Sequence, residues 1–172
     1  MSTELMHALG AKENMTLQEK VELRLKIERL ENTIMSVGEP MEIKINHHFS
    51  KDVYAREMVL NKDTLIVGKI HKHENLNILS SGEALVASVD GIKEVKAPYT
   101  FVSDPGAKRV IYAKTDLVWT TIHGTSETDV DKIEDQFIAK NYSEVAGISG
   151  DELNLLEEMR KESFKDQHLI EG

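Results

Sequence analysis

The chain contains no cysteine. Disulfides, thiolate metal sites and cysteine nucleophiles are excluded together, while the compartment stays open. Its longest uninterrupted apolar runs are only a few residues, too short to span a bilayer. The opening stretch Met1-Ser-Thr-Glu-Leu-Met-His-Ala-Leu9 has no basic flank leading into an apolar run, so it does not read as a secretion signal. Gly82, Gly91 and Gly106 stand singly at turns rather than in a phosphate-cradling loop, and no serine sits in a Gly-x-Ser-x-Gly setting.

What remains is a chain of 172 residues, 40% hydrophobic and 30% charged, the size and composition of one folded domain with appended segments. The net charge of -9 is uneven. Residues 1–40 carry 7 acids and 5 bases, residues 41–124 carry 10 and 11, and residues 125–172 carry 13 and 5. The acidity therefore belongs to the C-terminal tail, where it reads as a solvated helix face. Lys69, Lys72, Lys93, Lys96, Lys108 and Arg109 alternate with acids and lack an aromatic platform, which argues against a nucleic-acid partner.

The pattern predicts three segments. Over residues 1–40, Thr16 is a candidate N-cap with Glu19 completing a capping box, and Leu23, Ile27, Leu30 and Ile34 recur at helical spacing until Gly38 and Pro40. Two heptads are too few for an independent coiled coil, so this seam docks either on its own domain or on a second subunit. Over residues 41–125 the period changes to that of strands. The runs are Met41–Ile45, Ala55–Leu60, Thr64–Ile70, Ile78–Leu79, Ala84–Val89, Ile92–Val95, Tyr99–Val102, Arg109–Ala113 and Leu117–His123. Asp90-Gly91 is a hairpin signal. Short strands at regular spacing without intervening helices predict a mainly β fold, an antiparallel sandwich or barrel. Residues 126–172 read as an acidic helical tail. Ile133, Phe137 and Ile138 return toward the barrel behind a Thr128 or Asp129 cap, and a helix follows over Asp151–Arg160.

Histidines supply the candidate chemistry. His71 and His73 lie two apart in an expected strand and so point to one face. Two such imidazoles can share a divalent metal ion, and His123, at the end of another strand, is a candidate third ligand. The competing reading is a polar strand end. His47 and His48 are adjacent, fall on opposite faces, and read as structural. Trp119 and Tyr112 could stack on a ligand, although aromatics in barrel strands usually belong to the core.

The stretch from His47-His-Phe49 through Ile70-His-Lys-His73, Leu79-Ser-Ser-Gly-Glu83, Ala97-Pro-Tyr-Thr-Phe-Val-Ser103, Pro105-Gly106 and Val118-Trp-Thr-Thr-Ile-His123 resembles the cupin superfamily of small jelly-roll barrels, and more narrowly the cupin-like proteins encoded by tailed bacteriophages. The resemblance covers about half the chain and implies a single cupin-like antiparallel jelly-roll barrel flanked by N- and C-terminal helices. The cupin pattern also implies a metal-binding Glu and a third His. Here those positions fall on Asn77 (or Ile78) and on Arg109. A guanidinium facing inward repels a divalent cation and attracts an anion or carboxylate, so the register around residues 109–113 decides between two chemistries. The resulting expectation is a non-enzymatic oligomeric binding or virion-assembly component, in an infected host's cytoplasm or a particle. Its partners are a second copy (homodimer or trimer) and other phage proteins, with neither nucleic acid nor membrane. Ligand contacts fall to Arg109, Asn77, Trp119 and Tyr112. The alternative is a metal-dependent cupin enzyme, an isomerase or oxygenase acting on a small polar or anionic substrate through His71, His73 and His123.

Overall fold

A computed structural model describes residues 2–38 and 41–170, with side chains over 3–38 and 41–162. Eleven strands and four α-helices are formed among them. The N-terminal helices are α1 (Ser2–Ala8) and α2 (Leu17–Val37). Thr16 caps α2, accepting from the Glu19 N–H while the Glu19 carboxylate accepts from the Thr16 N–H at 2.9 Å, the reciprocal box expected from sequence. Gly38 closes the helix, its N–H donating to the Ile34 carbonyl; Pro40 lies outside the described residues.

The strands follow as β1 (Lys44–Ser50), β2 (Val53–Leu60), β3 (Leu65–Val67), β4 (Ile70–His71), β5 (Asn75–Ser81), β6 (Glu83–Ser88), β7 (Gly91–Lys96), β8 (Tyr99–Ser103), β9 (Val110–Ala113) and β10 (Leu117–His123). One sheet runs β1-β2-β10-β5-β8 and another β3-β9-β6-β7, every pairing antiparallel. Among these ten, with β1 and the short β4 set aside, the first of the eight remaining strands pairs with the last, the second with the seventh, the third with the sixth and the fourth with the fifth. That nesting is what rolling up one long antiparallel hairpin produces, and it defines a jelly roll. The molecule is thus mainly β, with the expected antiparallel jelly-roll order of strands.

Alternation sorts the side chains. Met58, Leu60, Leu79, Leu117 and Trp119 of the first sheet meet Ala84, Val86, Val95, Ile111 and Ala113 of the second in a central core. The opposite face of the second sheet, through Leu85, Ala87 and Val110, is covered by Met6 of α1, by Leu9 just after it, and by Leu23 and Ile27 of α2. The first half of the α2 seam therefore docks on its own domain.

The C-terminal part continues with α3 (Val130–Phe137), capped by Asp129, and with β11 (Ile138–Ala139), which pairs with β4. A 3₁₀ turn at Tyr142–Glu144 leads into α4 (Gly150–Ile170). Leu153, Leu156 and Met159 of α4 pack against Val21 and Leu25 of α2. Beside them the buried Arg24 bonds Glu152 at 2.7 Å and the Gly106 carbonyl at 3.1 Å, with its guanidinium over the Tyr142 ring.

One expected strand is divided. The run Thr64–Ile70 breaks after Val67, where the Gly68 N–H donates to the Arg109 carbonyl and the chain leaves the second sheet. It resumes as β4 for two residues only. The Lys72 N–H then turns to the Phe137 carbonyl at the end of α3.

Candidate functional site

A cavity of about 480 Å³ opens between the two sheets beneath α3. That is the size of a small-molecule site. Its walls are layered by strand register. Ile45, Met58 and Trp119 lie in one row across β1, β2 and β10, and with Ile43, Ile66 and Ile111 they make an apolar floor. The next row is polar: His47 opposite Arg56, Arg56 opposite Thr121, Thr121 opposite Asn77. The row nearest α3 pairs Tyr54 with His123. His71 joins from β4, and Ile133 and Phe137 of α3 complete the upper wall.

Arg109 faces this cavity. In β9, Ile111 and Ala113 belong to the inter-sheet core while Val110 belongs to the helix-covered face, so Arg109 shares the inward parity of Ile111. Its guanidinium lies over the Phe101 ring at 5.2 Å, and the residue also lines a second hollow of about 350 Å³ that holds Asp90 and Asp104. Burial pulls its pKa below the ordinary guanidinium value, against the opposing attraction of Asp90 and Asp104. A second cation, Arg56, enters from β2. Among the described residues neither arginine has a carboxylate at ion-pair distance, whereas Lys69 at the rim is paired with Glu134 of α3. Arg56 escaped the sequence reading because a charged residue in an alternating strand fits either face until its partners fix the register.

The imidazoles are brought together only in part. His71 and His123 stack with ring centroids 5.4 Å apart, and His123 stacks on Phe137 at 4.3 Å. The Nδ1 atoms of both rings are buried without a hydrogen-bond partner. Burial lowers both pKa values to about 4, helped for His71 by His123, Arg109 and Arg56, and for His123 by His73 and Arg56. Both rings are neutral at ordinary pH. His73 does not join them. β4 ends at His71, alternation is lost, and His73 lies exposed outside the cavity with its ring edge-on to Phe137 at 6.1 Å. Among the described residues no three His, Asp or Glu side chains converge as a metal site. With Arg56 and Arg109 both lining the cavity and only two imidazoles stacked there, the donor set does not fit a divalent cation.

Asn77 lines the cavity but is fully engaged. Its amide donates to Asn75 Oδ1 and Ser103 Oγ, and its oxygen accepts from Trp119 Nε1 and Thr121 Oγ1, both at 3.0 Å. It therefore orients Trp119 and Thr121 and keeps little capacity for a ligand. Trp119 belongs both to the core and to the cavity wall. Tyr112 lies on the other face of β9, packed toward the helices with its hydroxyl donating to Asp63 at 2.7 Å, away from the cavity. His47, read as structural, lines the cavity and is bonded through Nδ1 to the Tyr54 hydroxyl at 2.7 Å; His48 is exposed, on the opposite side of the strand.

No family model and no curated protein matches this sequence. Solved structures of similar chain course include a cupin superfamily protein from Desulfitobacterium hafniense, with 14% identity, TM-score 0.42, and 52% of this chain and 85% of that one covered. An RmlC-like cupin from Shewanella frigidimarina has 18% identity and TM-score 0.42, covering 55% and 91%. An acetylacetone dioxygenase from Acinetobacter johnsonii has 13% identity and TM-score 0.41, covering 48% and 59%.

Proposed function

We propose that this chain is a non-enzymatic binding protein, a cupin-like barrel whose cavity takes a small anion where a catalytic relative would hold a metal ion. The observation carrying this reading is the pair Arg56 and Arg109, both lining the cavity without carboxylate partners among the described residues, while His73 stays outside. Two unit charges about 4 Å apart at an effective dielectric of about 20 interact by about 4 kcal/mol, so cations facing one small space exclude a third and favour an anion.

The same proposal includes self-association, as an assembly component of the kind that tailed phages encode. The phage setting rests on the sequence resemblance. For self-association the supporting surface is the outward face of the five-stranded sheet, where the exposed Leu76 and Val102 are register partners and Ile122 adjoins Leu76. A homodimer through this face is the first choice. A trimer through the exposed end of α2, at Met35 and Val37, is the second.

The metal-dependent enzyme is kept as the rival because the stacked rings of His71 and His123 both carry a buried Nδ1 without a hydrogen-bond partner. Protein purified without a chelating tag decides between them, by elemental analysis and light scattering on one sample. The expected result is far less than one metal per chain in particles of two or three chains. Near-stoichiometric metal that disappears in His71→Ala contradicts the binding role, and a monomeric mass contradicts the self-association.

A further inference from the structure

The layering of the cavity says more about the ligand than its charge. We infer that the anion is a carboxylate with an apolar body, its head between Arg56 and Arg109 and its body on the floor made by Ile43, Ile45, Ile66 and Ile111. This rests on the anion-binding reading and narrows it.

Three observations converge. Both arginines line the cavity and come from different sheets, Arg56 in the polar row of the first and Arg109 immediately before β9 of the second, beside Gly68. Below that row the wall changes at once to aliphatic side chains, which a bare phosphate or sulfate would leave uncovered. The polar groups that remain suit a ligand with few oxygens. Asn77 is saturated, Lys69 is paired with Glu134, and the 7%-exposed His123 offers an unpartnered ring nitrogen, an acceptor in its neutral form when that nitrogen lacks the proton. A carboxylate satisfies a guanidinium fork with two oxygens, and its hydrocarbon body covers the floor.

Titration calorimetry of acetate, butanoate and hexanoate into the full chain tests this. Affinity is expected to rise about fourfold for each added methylene. Hexanol and hexylamine are expected to bind far more weakly than hexanoate, and Arg56→Met or Arg109→Met to weaken hexanoate about tenfold or more, with circular dichroism checking the fold. A flat series, or hexanol binding as well as hexanoate, overturns the inference. If an arginine variant fails to fold, the chain-length series on the unaltered protein still decides. Inorganic phosphate bound in competition with a flat carboxylate series would sink the inference while leaving the anion-binding reading intact; zinc bound through His71 with no anion binding would sink both.

Discussion

Arg109 sets the chemistry of the cavity because a guanidinium stays charged even when burial disfavours it. The neighbouring imidazoles yield instead. His71 and His123 are held near pKa 4, below the ordinary imidazole value of about 6.5, chiefly by burial. The native protein keeps both rings neutral between these values while the unfolded chain takes up protons. Their effect on stability is therefore absent above about pH 6.5 and grows as a loss while pH falls toward 4. After allowance for solvent screening, the pair accounts for a loss on the order of 2–3 kcal/mol. His123→Phe, placed between the rings of Tyr54 and Phe137, removes one of the two groups. The denaturation midpoint is expected to fall about half as much between pH 7 and pH 5 as in the unaltered protein; an unchanged fall would show that these rings do not stay neutral.

Residue type alone made Arg109 legible, since the resemblance put a cation where a ligand was due. Its direction was not legible, because parity in β9 depends on which side the helices cover. Arg56 and His47 were missed for the same reason. The face of Arg56 is fixed by the remote β10, and through the β1–β2 hairpin that pairing also fixes the face of His47.

Among elements, those governed by local chemistry were the readable ones. The Thr16–Glu19 box and the Asp129 cap are satisfied within a few residues, and the Asp90-Gly91 hairpin closes as expected between β6 and β7. The pairing of His71 with His73 is not formed because β4 stops at His71, its partner being the two-residue β11 some 67 residues later in the chain, and His73 lies beyond that short ladder. Tight turns are equally dependent on surroundings. Gly82 joins β5 to β6 at φ +90°, and a Cβ there would lie 2.3 Å from the Asp116 carbonyl oxygen and 2.6 Å from Leu117 Cβ. Gly147 has φ +98° with nothing within 4 Å. Gly82→Ala is therefore expected to cost roughly 3 kcal/mol or more in chemical denaturation, and Gly147→Ala only about 1–2 kcal/mol. Equal costs would mean that the β5–β6 corner relaxes to admit a methyl group.

For the whole molecule, the acidic excess of the C-terminal part is partly used inside the fold. Glu152 pairs with Arg24, Glu134 with Lys69 and Glu144 with Lys72, each tying that part to the β-rich body or to α2. The charge run is therefore more than a solvated face. An antiparallel sandwich or barrel was readable from strand spacing and the jelly roll only from the resemblance, whereas the covering of one sheet by α1 and α2 and the exposure of the other were not. No helix among the described residues is long and apolar enough to cross a membrane.

The most direct test of the central claim, that this cavity attracts anions and not metal ions, is anomalous diffraction from a crystal soaked first in bromide and then in a zinc salt. A bromide peak between Arg56 and Arg109, with no zinc peak at His71 and His123, is the predicted result. Zinc bound at those two histidines, with no bromide beside the arginines, would contradict it.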